Sequence, residues 1–191
     1  MKKIILASAS PRRKRLLDQI GLKFTVDESG FEEDMNLKMR PHDLAKFLSL
    51  KKAQKVARKY KNSIIIGADT FVMFNGKLLG KAHSKEEARE ILIEINGKPH
   101  EVITGFTIID TRTGKTISKS VQSRVYMKKM TKGEIDAYVR SEEPIGKAGA
   151  YAVQEKGALF VEKVEGDFYN VVGLPIIELT NQLKKFGIKI L

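Results

Sequence analysis

Ile64-Ile65-Ile66, set between Ser63 and Gly67-Ala68, is the stretch that most narrows the folds open to this chain. Consecutive β-branched residues favour an extended backbone, and a strand apolar at successive positions has both faces covered. An α/β architecture follows, a sheet with helices packed on it. The run leads into Gly67-Ala68-Asp69-Thr70. In open α/β sheets ligands lie beyond the carboxyl ends of strands, so Asp69 is well placed for chemistry there, although a lone strand-end aspartate serves equally as a turn residue.

The opening segment has the same strand-then-helix character. Ile4 to Ala7 suits a buried strand, Ser10 and Pro11 are a helix N-cap and first helical position, and Gly21 stops the helix. Arg12, Arg13, Lys14 and Arg15 then occupy the first turn, where unsatisfied N–H groups already carry about half a positive charge. Two readings stay open. An anion sits at the helix end, with the small residues Ser8, Ala9 and Ser10 letting it approach the backbone, or the turn is a solvated basic face.

Further on, Lys23 to Asp27 reads as a strand, followed by an acidic group, Glu32, Glu33 and Asp34, which is either a solvated loop or an oxygen-ligand site for a divalent cation. Pro41 opens a helix reaching about Tyr60, with Leu44, Phe47, Leu48, Val56 and Tyr60 on its apolar stripe. Lys52 lies four residues from both Leu48 and Val56, beside the buried face, so its ammonium either snorkels to water or meets an anion. Phe71 to Leu79 predicts a hairpin around Asn75-Gly76 that brings Gly80-Lys81 close to Asp69. Ser84-Lys85-Glu86-Glu87 and Thr131 to Glu134 are capping boxes opening two more helices, with strands at Glu101 to Asp110 and Thr116 to Met127 between them. The small-residue stretch from Gly146 to Gln154 either lets a ligand approach the backbone or makes a tight turn. Ala158 to Glu165 predicts a strand, and Asn170 to Pro175 leads into a last helix with Ile176, Leu179, Leu183 and Phe186 on its face.

With no linker or repeat to divide them, the 191 residues suit a single domain, 1–191, with room for two lobes. The net charge of +12, from 35 Lys and Arg against 23 Asp and Glu, implies an anionic partner without choosing between nucleic acid and nucleotide. There is no Trp, and the aromatics do not alternate with the basic clusters, which weakens the case for a base-stacking platform. The absence of Cys excludes disulfides and thiolate metal sites and suits a reducing compartment, the cytoplasm by default. His42, His83 and His100 lack metal-ligand spacing. No apolar run approaches a membrane span, and the one at Ile4 to Ala7 falls short of the ~7 to 15 residues of a signal peptide.

Several motifs together resemble the Maf family: SASPRR at Ser8 to Arg13, GADT at Gly67 to Thr70, Gly80-Lys81, KAGAYAVQ at Lys147 to Gln154, and NVVGLP at Asn170 to Pro175. They follow that family's order and spacing over nearly the whole chain. The resemblance implies a nucleoside triphosphate pyrophosphatase, historically linked to inhibition of septum formation, that depends on a divalent cation such as Mg2+ or Mn2+. It implies an elongated mixed sheet with flanking helices and two lobes around a central cleft, similar to the inosine triphosphate pyrophosphatases, and a homodimer. Carried over by position, the catalytic residues fall on Asp69, Glu33, Lys52 and Lys81, with Asp69 as proton acceptor and Glu33 and Asp69 as metal ligands. Substrate binding falls on Ser8, Arg12, Arg13, Thr70 and Gln154. The AYAVQ and NVVGLP forms look like the branch acting on dTTP and UTP, although Gly146 stands where an acid is commoner. A primary amide at Gln154 can accept from N3–H and donate to O4 of uracil or thymine. No stable nucleic-acid partner and no membrane are expected. The alternatives are a nucleic-acid-binding protein without catalysis, which gives no reason for Asp69, Glu33 and Gln154, and a nucleotide-binding regulator of division, which differs only in turnover.

Overall fold

A computed structural model describes residues 2–31 and 37–190 of the chain. The elements, in order, are β1 (Lys3–Leu6), α1 (Pro11–Gln19), β2 (Thr25–Val26), α2 (Pro41–Ala57), β3 (Ser63–Phe74), β4 (Lys77–Leu79), α3 (Lys85–Ile95), β5 (Pro99–Asp110), β6 (Thr116–Met127), α4 (Lys132–Arg140), β7 (Val161–Glu165), α5 (Phe168–Val172) and α6 (Ile176–Leu183). Short 3-10 turns cover Lys156–Phe160 and Lys184–Phe186. The described strands form one seven-stranded sheet in the order β2-β1-β3-β5-β6-β7, with β4 paired to β3. It is mixed: β1 runs parallel to β2 and β3, whereas β3–β4 and β6–β7 are antiparallel. The expected mixed α/β sheet with flanking helices is present.

The chain forms two compact units, Met1–Asp69 with Thr104–Val121 and Gly173–Leu191, and Thr70–Ile103 with Gln122–Val172. In the first, Ile4, Ile5 and Leu6 stand opposite Ile64, Ile65 and Ile66 in parallel register. Ile5 and Ile65 pack with Ala53 and Val56 of α2, while Ile64 and Ile66, on the other face by alternation, are also fully buried. Each such side chain contributes about 1.5 to 3 kcal/mol when withdrawn from water, which is why the run cannot lie on a half-exposed sheet. The expected strand at Lys23 to Asp27 shrinks to Thr25–Val26, both exposed, because little apolar surface there rewards pairing.

The second unit is held by Val72, Phe74, Leu92, Ile95, Val125, Met127, Ile135, Tyr138 and Val139 among others. The β3–β4 hairpin turns at Asn75 and Gly76, both at positive φ, as the Asn-Gly pair predicts. At Thr131 the capping box is reciprocal. At Ser84 only half of it forms, since the Glu87 carboxylate accepts from the His83 N–H at 2.7 Å instead. Ala158 to Phe160, expected to be extended, complete a 3-10 turn before β7.

His100 opens this unit's core on β5 and is buried, with Nε2 2.8 Å from the Tyr151 hydroxyl. Burial pushes its imidazole down from 6.5 to about 4. The unfolded chain therefore takes up this proton near pH 6.5 while the folded chain resists until about 4. Neutral His100 costs nothing above pH 6.5, and stability is lost as pH falls through that window, by about 2 kcal/mol between pH 7 and 5. Urea unfolding at the two pH values should show this loss in the wild type and most of it removed in His100→Gln. An equal loss in both proteins would assign the effect elsewhere.

Candidate active site

α2 lies unusually close to the sheet, and two glycines permit it. A Cβ at Gly67 on β3 would stand 2.5 Å from the Ser49 carbonyl oxygen and 2.8 Å from the Ala53 nitrogen. One at Gly105 on β5 would stand 2.1 Å from the Ala45 carbonyl oxygen. The helix answers with small residues at four-residue spacing, Ala45, Ser49 and Ala53, all fully buried. Ser49 bonds to Thr107 at 2.8 Å, and Thr107 to Ser118 at 2.8 Å, so the polar atoms under the helix satisfy one another.

This approach decides where Lys52 goes. The side chain is 6% exposed, and its ammonium donates to Oδ1 of Asp69, itself 1% exposed. Asp69 shares the Gly67 face of β3 by alternation, directly under the helix. Snorkelling to water, one of the two sequence readings, does not occur. Asp69 is also not at a strand end, because β3 continues to Phe74 once β4 pairs with it. The neighbouring strand is the one that stops: the β1–β3 ladder closes at Leu6 and Ile66, with a last bond from the Ala7 N–H to the Ile66 carbonyl at 2.8 Å. Asp69 therefore stands beyond the carboxyl end of β1.

At the start of α1, Ser10 is the N-cap, accepting from the Arg13 N–H at 3.5 Å, and Pro11 follows it. The four basic residues separate by direction. Lys14 pairs with Asp18 at 2.7 Å on the exposed side, and Arg15 is exposed. Arg12 is half-buried. Arg13 turns inward, 8% exposed, donating from Nε to the Gly173 carbonyl at 2.8 Å and from a terminal nitrogen to the Ser8 hydroxyl at 3.0 Å. Ser8 also accepts from the Ser10 N–H at 3.3 Å, so the strand-to-helix loop folds around the guanidinium. Sequence reading places Arg13 among the substrate-binding residues; here its guanidinium engages Gly173 and Ser8.

In the second unit, Thr70 is half-buried, immediately after Asp69 in β3. Lys81 has an exposed side chain, while its backbone bridges to Ala148, so Gly80-Lys81 and the KAG segment lie together. The Gly149 N–H donates to the Gly80 carbonyl at 3.1 Å, and Gly149 at φ +68 would place a Cβ 2.7 Å from Val72 Cγ2, a conformation and a space that both require glycine. Gln154 is exposed on a turn after Ala152. Glu33, with Glu32 and Asp34, lies outside the described residues, among which no three His, Asp or Glu side chains gather as a metal-ligand group. What sequence reading missed was the role of Gly67 and Gly105, for which Ala45, Ser49 and Ala53 were the legible signal.

The family described as Maf-like protein matches residues 3–186. Among curated relatives, the dTTP/UTP pyrophosphatase of Methanosarcina barkeri is 51% identical over 191 residues, covering 100% of this chain and 97% of its own. That of Dictyoglomus turgidum is 47% identical over 191 residues, 100% of this chain and 99% of its own. That of Bacillus anthracis is 45% identical over 190 residues, 100% of this chain and 98% of its own. Among solved structures, the Staphylococcus aureus Ham1 protein aligns with a TM-score of 0.46 and 13% identity over 66% of this chain and 72% of that one, too loose a likeness to argue from.

Removing one member of a buried ion pair costs about 3 to 5 kcal/mol, whereas replacing both with apolar residues is often neutral. Lys52→Met should accordingly lower unfolding free energy by about that amount, and adding Asp69→Leu should restore most of it. Chemical denaturation of the two variants checks this. A double variant no more stable than the single one would show that the two charges do not face one another.

Proposed function

This chain belongs to the Maf family, and on that premise we propose that it is a nucleoside triphosphate pyrophosphatase that hydrolyses dTTP and UTP to the monophosphate and pyrophosphate. The observation that carries the reading is Asp69, a buried carboxylate oriented by Lys52 where a lone structural aspartate would not be expected. Water attacks phosphorus at the α–β anhydride, the bridging P–O bond breaks, and Asp69 takes the water's proton. Lys52 fixes the carboxylate's direction. An ammonium has three donors, so holding Asp69 is compatible with meeting a phosphoryl oxygen. Lys81 adds a second cation for developing phosphate charge.

The start of α1, with no acid in its first turn, receives the triphosphate through its N–H groups and Arg12. Ser8 and Arg13, bonded to one another, belong to the same substrate-binding set. Gln154 reads the base edge, with Thr70 as a further specificity position. A divalent cation, Mg2+ or Mn2+, belongs to this reading. Magnesium is commonly held by one or two carboxylates together with substrate phosphates, and the buried carboxylate of Asp69, with no three-ligand cluster among the described residues, fits that pattern. Asp69 and Glu33 would hold the ion, which supplies charge neutralisation at phosphate oxygens when bound. No helix among the described residues is long and apolar enough to cross a membrane, and the reading places the enzyme in the cytoplasm as a homodimer acting on free nucleotides.

Incubation with UTP or dTTP and Mg2+ should release monophosphate and pyrophosphate in equal amounts. Asp69→Asn should slow this by about 10² to 10⁴-fold per folded molecule. It should also lower stability, because Lys52 then faces an uncharged amide, so turnover is normalised to the folded fraction. Binding without turnover in the wild type would make the protein a nucleotide-binding regulator instead. For the helix end, Arg12→Ala should reduce kcat/KM by about tenfold to a hundredfold at low and high salt alike, the cost of a charge-assisted hydrogen bond. Lys14→Ala, whose ammonium already meets Asp18, should have a small effect that salt abolishes. Equal, salt-sensitive losses would point to a diffuse basic patch.

A further inference from the structure

The turn that carries Gln154 is fastened from behind on both sides. On one side the Ala152 N–H donates to the Tyr138 hydroxyl at 3.2 Å. On the other, the N–H groups of Lys156 and Gly157 donate to the Glu143 carboxylate at 3.0 and 2.9 Å. The two anchors are joined, since the Tyr138 hydroxyl donates to the same carboxylate at 2.8 Å. Burial, and then the bond to Glu143, push the phenol of Tyr138 well above its ordinary range, so it stays a donor. Lys147 bonds to the Glu143 carbonyl and approaches Glu155 at 3.6 Å. The fit is close: a Cβ at Gly157 would stand 2.6 Å from the Ala152 carbonyl oxygen and 2.7 Å from the Tyr138 hydroxyl.

Three backbone N–H groups flanking Gln154 are therefore tied to one carboxylate and one phenol, while the Gln154 side chain itself is exposed. An amide tells uracil from cytosine only if its carbonyl and NH2 ends are presented in a fixed direction, because the two bases exchange donor and acceptor at adjacent positions. A four-residue turn with no anchors would let the amide adapt to either. We propose that Glu143, acting with Tyr138, is a positioning residue for base recognition, holding the Gln154 turn in the one geometry that favours UTP and dTTP over CTP. This rests on the reading of Gln154 as the base contact.

The ionised carboxylate only accepts, and here it takes three bonds on two oxygens. Glu143→Gln is nearly isosteric yet replaces one acceptor with a donor, which must face an N–H or the phenol. The UTP-to-CTP ratio of kcat/KM should fall about tenfold, the equivalent of one hydrogen bond, while kcat for UTP changes much less. Tyr138→Phe, which keeps the ring's packing on Phe160, should shift the ratio in the same direction and covers the case in which Glu143→Gln folds poorly. The deciding measurement is a cycle with Gln154→Ala. If Glu143 acts through Gln154, Glu143→Gln lowers the ratio in the wild-type background and leaves it unchanged when Gln154 is already alanine. An equal loss for all nucleotides, or the same change of ratio in both backgrounds, overturns the proposal and makes Glu143 a support of the fold. If Gln154→Ala alone leaves the ratio unchanged, the base-reading premise itself has failed, and the proposal with it.

Discussion

The first unit is arranged around an unfavourable act, the burial of a lysine and an aspartate beneath a helix. Each charge alone would cost several kcal/mol in that place, and together they are tolerated only at contact distance. Contact requires α2 to lie on the sheet with nothing between backbone and backbone. Gly67 and Gly105 give that room from below, and Ala45, Ser49 and Ala53 give it from above. The hydroxyls of Ser49, Thr107 and Ser118 then complete an interior in which the polar groups near the pair have partners. A leucine at any of these positions would pack a conventional core and separate the charges. The residues that look least informative in the sequence, the small ones, thus set the position of the buried carboxylate of Asp69.

Much of the architecture was legible because it rests on local rules. The isoleucine run, the Ser10-Pro11 helix entry, the Asn75-Gly76 turn and the Thr131 capping box each encode their geometry within a few residues, and each is found where expected. Other expectations depended on partners far along the chain. Asp69 read as a strand end because its glycine and alanine neighbours resemble a turn, but the returning β4 extends β3 past it. Lys52 could be placed beside the buried face by periodicity, and only the aspartate on β3 decides between water and an ion pair. Four adjacent basic residues looked alike in sequence, and the carbonyl of Gly173, which draws one of them inward, is 160 residues away. The positions matching the family's motifs were legible as a set; their geometry was not, and Glu33 lies outside the described residues.

The large positive charge takes a particular form on this surface. Among the described residues, lysines stand over the rings of Tyr60, Phe47, Phe74, Phe186, Phe160 and Tyr126, with ammonium-to-centroid distances of 5.0 to 5.9 Å. Each contact is worth about 0.5 to 1 kcal/mol at an exposed site. The effect on recognition matters more than the energy. Rings capped by the protein's own cations are not presented as a row of open faces, which is what successive unpaired bases would stack upon.

The clasp between Arg13 and Gly173 also bears on the order in which the molecule is made. The second unit draws on residues 70–103 and 122–172, whereas the first waits for the segment from Gly173 onward. On the ribosome, the later-numbered unit therefore has all its parts while the earlier one still lacks the carbonyl that receives Arg13. Until that carbonyl emerges, the guanidinium remains hydrated and the loop around Ser8 has no fixed centre. The partner that gives the loop its centre is thus supplied 160 residues after Arg13, so a chain cut short before Gly173 would keep every residue of that loop and lack the carbonyl that orders it.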